Sequence, residues 1–195
     1  MLRMAFVGMG WAGTRQVEAV AELGRKVEAA CLVDTDKQHL KARSEELGIT
    51  RICTEYAEVL TNSDIDAVSI CTPHALHCPM AVEAAEAGKH VLCEKPLAIS
   101  SMEAEQMIAA ARQNDKKLAC NYNQRCHSSV RALRVAVERG LLGDVYYAVG
   151  RWMSRYTGFM FNPQTAWRRS KQKGGGGILI GRGSHLIDAL WYMLG

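Results

Sequence analysis

At 195 residues, 48% of them hydrophobic and 23% charged, the chain is long enough to bury a sizeable core as one domain or one and a fraction. The net charge of +4 is small, and the densest basic clusters, residues 168–173 and Lys116-Lys117, carry no interleaved aromatics on which bases could stack, so no nucleic-acid partner is expected. No uncharged apolar run reaches the roughly 20 residues that span a bilayer. The chain also enters its first strand with no leader, so a cytoplasmic protein without a membrane partner is expected.

Residues 4–7 read as an apolar strand, followed by Gly8-Met9-Gly10-Trp11-Ala12-Gly13 and a helical pattern through Leu23. Val17, Val20, Ala21 and Gly24 fall at i, i+3, i+4 and i+7, the face expected to pack on a sheet. Glycines at positions 8, 10 and 13 permit a tight turn, close approach to a pyrophosphate and close helix–strand packing. The helix start then supplies N–H groups and a favourable dipole for phosphates. The next strand, residues 27–33, ends in Asp34, 21 residues after Gly13, where a carboxylate accepts from a ribose 2′-hydroxyl and repels a 2′-phosphate. NAD is therefore expected as cofactor in preference to NADP. Asp36 adds negative charge, and only Lys37 and Lys41 stand nearby to offset it.

Alternating elements continue: helix 37–47, a short strand near 51–53, helix 56–60, strand 67–71, helix 76–87, strand 90–93, helix 101–113 and strand 118–121. Met107, Ile108 and Ala111 form the expected inward face of helix 101–113, with Ser100 or Ser101 as N-cap. The alternation predicts an α/β fold, a Rossmann-type doubly wound parallel sheet, with a ligand crevice at the carboxyl ends of its strands. Gly8–Gly13, Asp34, Thr72-Pro73 and Glu94-Lys95 all lie at those ends. Of seven cysteines, Cys31, Cys71, Cys93 and Cys120 fall in expected buried strands, and no CxxC pair suggests a disulfide framework. His74, His77 and Cys78 have metal-ligand character but no evident fourth ligand, so no metal is expected, and His77 reads as a structural hydrogen-bonder.

Glu94-Lys95-Pro96 closes the strand at residues 89–93 with a lysine between a carboxylate and a proline, which sends its side chain off in a defined direction. Burial and neighbouring positive charge can lower the pKa of such an amine and make it an acid/base near neutrality. Farther on, a helix over 129–139, a strand over 144–152 and a closing helix over 185–194 are expected. They amount to a partial α+β second domain, giving an organisation of 1–121 for cofactor binding and 122–195 for an incomplete substrate or oligomerisation domain.

The order GxGxxG, Asp34, Thr72-Pro73 with His77, then Gly88-Lys89-His90-Val91 and Glu94-Lys95-Pro96 resembles the glucose–fructose oxidoreductase / inositol dehydrogenase / rhizopine-catabolism (Gfo/Idh/MocA) family of NAD(P)-dependent oxidoreductases. The resemblance continues through Asn121–Arg125 and residues 140–145 to Trp167-Arg168, the Gly174–Gly177 run and Gly183-Ser184-His185-Leu186-Ile187-Asp188. It implies hydride transfer between a sugar or polyol carbon and nicotinamide. Lys95 and His185 would handle the hydroxyl proton and touch the substrate, beside Asn123, Arg125 and Asp188. Gly8, Gly10, Trp11, Ala12, Gly13, Asp34, Thr72, Pro73, His77, Glu94, Lys95 and Arg168 would meet the cofactor, and the Lys95–Pro96 bond can be cis, as it often is in the family.

Two features open an alternative. Many relatives have Asp four residues before the histidine, where this chain has Gly181, and family members are about twice as long, with a second domain built on a large open sheet. A lone strand does not make a stable sheet. The chain thus reads as a sugar or polyol dehydrogenase or as a non-catalytic NAD-binding remnant. An edge strand at 144–152 exposing Val145, Tyr147 and Val149 points to a homo-oligomer that covers it.

Overall fold

The computed structural model describes residues 1–153 and 162–195. The chain divides into two compact units, Met1–Cys120 and Asn121–Gly195, and each is taken by itself.

In the first unit, strands β1 (Leu2–Val7), β2 (Val27–Val33), β3 (Ile52–Cys53), β4 (Ala67–Ile70), β5 (His90–Glu94) and β6 (Leu118–Asn121) alternate with helices α1 (Trp11–Ala21), α2 (Lys37–Leu47), α3 (Tyr56–Leu60), α4 (His77–Glu86) and α5 (Ser101–Gln113). They form one six-stranded parallel sheet in the order β3-β2-β1-β4-β5-β6, the doubly wound arrangement expected. Helices cover both faces, so the central strands are apolar on both sides. Along β1, Ala5 and Val7 join one core with Val33, Val68, Ile70, Val91 and Cys93. Met4 and Phe6 join the other with Val17, Leu32 and Leu40. Side-chain caps begin two of the helices: Asp36 accepts from the His39 N–H, and Ser100 from the Glu103 N–H.

Two expected faces shift. Helix α1 ends at Ala21, and Gly24 lies in a separate 3₁₀ turn, so Ala21 and Gly24 are exposed while Gly13, Thr14 and Val17 are buried. Val17 and Val20 pack on the sheet core with Phe6 and Leu32 as expected, and together with Ala21 and Gly24 they border a cavity of about 680 Å³ that Leu47 and Ile49 also line. It is bordered by the first half of β2, away from the carboxyl strand ends. In α5 the inward stripe is Met107, Ala110 and Ala111, whereas Ile108 is 38% exposed. Ile108 stands about 100° around the helix from Met107, outside an i, i+3, i+4 stripe.

In the second unit, a 3₁₀ turn (Asn123–Cys126) leads into α6 (Ser128–Glu138); after a 3₁₀ stretch (Pro163–Arg169) come α7 (Lys171–Gly174), a π turn (Leu179–Gly183) and α8 (Ser184–Leu194). Helices α6 and α8 pack together, with the Arg134 guanidinium 4.3 Å from the Tyr192 ring. The strand expected over 144–152 is not formed; the backbone there is irregular. A strand takes its hydrogen bonds from a neighbour, and among the described residues of this unit no strand lies beside it. The segment approaches α8 through Gly150 instead, where a β-carbon would stand 2.8 Å from Leu186 Cδ1. Among the described residues no helix is long and apolar enough to cross a membrane.

His77, the first residue of α4, is fully buried, with Nδ1 2.8 Å from the Pro96 carbonyl oxygen and Nε2 3.0 Å from that of Thr72. A neutral imidazole donates to one of these; an imidazolium could donate to both. Burial is the larger effect and pushes the His77 pKa below its ordinary 6.5, with the carbonyls opposing. The folded state thus resists a proton that the unfolded chain takes up, so this contribution to stability is complete above pH 6.5 and is lost as pH falls below it. Acidifying from about pH 7.5 to about 5.5 should lower the urea midpoint more in the parent chain than in His77→Gln. Equal losses in the two proteins would refute this role.

Candidate cofactor and active site

The neighbouring strands β2, β1, β4 and β5 deliver Asp34, the glycine turn, Thr72-Pro73 and Glu94-Lys95 side by side at their carboxyl ends. Gly8 follows β1 with φ +91°, and a β-carbon on it would stand 2.8 Å from the Cys71 carbonyl. A β-carbon on Gly13 would come within 2.2 Å of the Gly8 carbonyl oxygen. Gly8 and Gly13 are therefore required by the packing of the turn against β4 and of α1 against the turn. Gly10 is different: its β-carbon would meet no atom within 4 Å. Open space lies there, at the start of α1, where no side chain caps the helix and no acidic residue occupies the first turn. That opening suits an anionic group approaching uncapped N–H groups. Trp11 is 73% exposed beside it, and Ala12 is half-buried.

Asp34 does two things. Its Oδ2 accepts from the Met9 N–H at 2.7 Å and its Oδ1 from the Asp36 N–H at 3.1 Å, so the carboxylate fastens the glycine turn to the end of β2. Each oxygen keeps acceptor capacity for a diol. His39 closes the same corner, Nε2 lying 2.7 Å from the Met9 carbonyl oxygen. Neither the Asp34–Met9 link nor His39 was visible in the residue pattern, because both are contacts between segments about 25 to 30 residues apart.

At β5, Glu94 Oε2 accepts from the Lys95 N–H at 3.2 Å, and the Lys95–Pro96 peptide bond is cis. Thr72, Pro73, Glu94 and Lys95 are half-buried at this edge. His77 holds Thr72 and Pro96 from below with both ring nitrogens, which commits it to backbone rather than to a metal. Cys78 Sγ faces the Glu103 carbonyl and the Gln106 amide. Among the described residues no group of three His, Cys, Asp or Glu side chains could hold a metal ion. None of the seven cysteines is in a disulfide. Burial pushes the Cys31 and Cys71 thiols up to about 12, so they behave as core residues.

In the second unit, the Arg125 guanidinium grips both Asp188 oxygens, at 2.8 Å from Nε and 2.5 Å from Nη2, and lies 5.2 Å from the Tyr192 ring. The Asp188 side chain is only 9% exposed, so the pair ties the turn after β6 to α8. His185, one turn before Asp188, stands edge-on to the Tyr122 ring at 6.2 Å and beside the Trp152 ring at 5.9 Å. Asn123 is exposed at the start of its 3₁₀ turn, and the Arg168 guanidinium lies 4.2 Å over the Trp167 ring. The π turn just before α8 contains Gly181, where a β-carbon would meet nothing within 4 Å. A side chain fits there sterically.

Residues 2–122 match the oxidoreductase family with an NAD-binding Rossmann fold, and residues 130–195 match the GFO/IDH/MocA C-terminal domain. Among curated relatives, D-glucoside 3-dehydrogenase from Escherichia coli is 31% identical over the whole chain, which covers 54% of that protein. Among solved structures, the aldose-aldose oxidoreductase of Caulobacter crescentus superposes with a TM-score of 0.82 at 30% identity, over 99% of this chain and 57% of that one. The WlbA dehydrogenase of Bordetella pertussis, in complex with NADH and UDP-GlcNAcA, superposes at 0.87 with 25% identity, over 100% of this chain and 55% of that one. The chain thus spans about half the length of the relatives it matches. With both domain matches following one another in order, the chain belongs to the Gfo/Idh/MocA family of oxidoreductases with an NAD-binding Rossmann fold.

Proposed function

We propose that this chain carries the cofactor half, and part of the substrate half, of an NAD-dependent oxidoreductase acting on a sugar or polyol alcohol. The observation that carries the reading is the row of strand ends in which the glycine turn, Asp34, Thr72-Pro73 and Glu94-Lys95 stand side by side. The uncapped start of α1 would take the pyrophosphate, Asp34 the ribose diol, and Trp11, Ala12 and Arg168 would complete the cofactor contacts. His77, expected to meet the cofactor, is fully buried with both ring nitrogens on backbone carbonyls and would act only by holding Thr72 and Pro96. Bound NAD would supply the hydride acceptor. Lys95, as the neutral amine, would take the hydroxyl proton while the carbinol carbon gives up its hydride, with His185 sharing the acid/base work. Asn123, Arg125 and Asp188 would shape the substrate cleft. In this reading residues 1–121 bind cofactor, residues 122–195 form part of a substrate and oligomerisation domain, and the protein works in the cytoplasm, where cysteines stay out of disulfides.

A second reading, an NAD-binding remnant without turnover, is favoured by Gly181, which has space for a side chain but carries none. Absorbance at 340 nm with NAD and a panel of sugars and polyols, beside NAD titration, separates the two: binding without turnover selects the remnant.

Three outcomes test the proposal. Asp34→Ala should weaken NAD and relax discrimination against NADP, since a charge-assisted hydrogen bond is worth about 1.5–3 kcal/mol; unchanged relative affinity for the two cofactors would sink the assignment. Lys95→Met keeps most of the side-chain volume and removes the proton acceptor, so turnover should fall on the order of 10²–10⁴-fold with NAD affinity nearly unchanged. Turnover surviving within a factor of a few would make Lys95 a bystander. Val145, Tyr147 and Val149 are 42%, 77% and 57% exposed, and Trp191 on α8 is 74% exposed, surface that a homo-oligomer would cover. Light scattering should show an oligomer; a monodisperse monomer refutes it.

A further inference from the structure

Gln16 lies on α1, one turn beyond Gly13, and its side-chain amide spans two strands. The fully buried Ser69 hydroxyl of β4 donates to Gln16 Oε1. Gln16 Nε2 donates to Glu94 Oε1 at 2.7 Å, and Glu94 Oε2 accepts from the Lys95 backbone N–H at 3.2 Å. The orientation of this amide is dictated by chemistry. A carboxylate only accepts, so the NH₂ must face Glu94, and the oxygen left facing Ser69 needs the hydroxyl proton it receives. The hydrogen bond from Gln16 restrains the Glu94 carboxylate against rotation away from the Lys95 N–H. With Gln16 in place, one oxygen is held from α1 and the other is aimed at the lysine backbone.

We infer that Gln16 is a positioning residue for Lys95: through Glu94 it couples the helix that follows the glycine turn to the backbone from which the lysine side chain departs. Gln16 itself touches neither the reacting alcohol nor the proton in this scheme. Ser69 is its accessory, a hydroxyl in the otherwise apolar strand Ala67–Ile70 that keeps the amide from turning over. The inference rests on the oxidoreductase reading only for its catalytic consequence; the mechanical link stands on the three hydrogen bonds.

The link is directly readable because Glu94-Lys95 is the only Glu-Lys step in the sequence. Labelling the 195-residue chain with ¹³C-carbonyl glutamate and ¹⁵N-lysine gives a single carbonyl-correlated amide signal, that of Lys95. In Gln16→Leu this amide should shift upfield, and its hydrogen exchange should quicken on the order of tenfold, as expected for one hydrogen bond lost. The swap Gln16→Glu with Glu94→Gln restores a donor facing an acceptor and still accepts from Ser69 and Lys95. Labelled with ¹³C-carbonyl glutamine in place of glutamate it shows Lys95 beside Lys173, the one Gln-Lys step of the parent, and the protection of Lys95 should return toward the parent value. Ser69→Ala gives a second route if Gln16→Leu does not fold, and should loosen the same amide. In chains that turn over, Gln16→Leu should lower kcat on the order of tenfold and weaken NAD by less, because the pyrophosphate and ribose contacts lie elsewhere. A Lys95 amide unmoved in both Gln16→Leu and Ser69→Ala, or not recovered by the swap, overturns the inference whatever happens to activity. A responsive amide in a parent chain without turnover upholds the link and refutes the oxidoreductase reading.

Discussion

The contact between the Gly13 α-carbon and the Gly8 carbonyl governs how this protein is built, because no β-carbon fits between them. It lets α1 start directly on the turn after β1, so that the helix axis and its uncapped N–H groups point over the carboxyl end of the sheet. Gly8 itself presses against the Cys71 carbonyl at the end of β4. The turn is thereby wedged between β1 and β4, the two central strands from which the chain winds outward in opposite directions. An alanine at either glycine would push α1 off the sheet or the turn off β4, and the open space beside Gly10 would lose its shape.

Around this wedge, each neighbouring strand end is fastened by a buried or half-buried polar contact. Asp34 ties the turn to β2, His77 ties Thr72 after β4 to Pro96 after β5, and Gln16 ties α1 to Glu94. Such contacts add little net stability one at a time. Broken, however, they leave unsatisfied groups in low dielectric, which makes them effective at selecting one arrangement of the strand ends. A site assembled from four strand tips needs that selection more than it needs additional hydrophobic burial.

The second unit is organised differently. Helices α6 and α8 pack together, the Arg125–Asp188 pair joins the turn after β6 to α8, and aromatic rings enclose His185. Much of its apolar surface stays exposed, including Leu179, Ile187 and Trp191. The two units therefore differ in how far they satisfy themselves. The sheet has both faces covered, whereas residues 145–149 hold strand-forming side chains with no strand beside them among the described residues of their unit.

What the sequence by itself determined is the part encoded locally. Short apolar runs, caps such as Ser100, and glycines at fixed spacing specify strands, helices and the glycine turn after β1 with little help from distant residues. The parallel winding follows from their alternation, and Asp34 and Lys95 were legible because each ends a strand. The tertiary structure decided everything that depends on which segments meet. Ile108 turned outward because the inward stripe of α5 follows its packing partners, and Ala21 and Gly24 came to face a cavity instead of a core. Cys78 and both nitrogens of His77 were committed to protein partners, and Gln16, an unremarked helix residue, became the partner of Glu94. Residues 144–152 look like a strand by alternation but form none, since a strand takes its hydrogen bonds from another chain segment and no spacing within one segment can supply them.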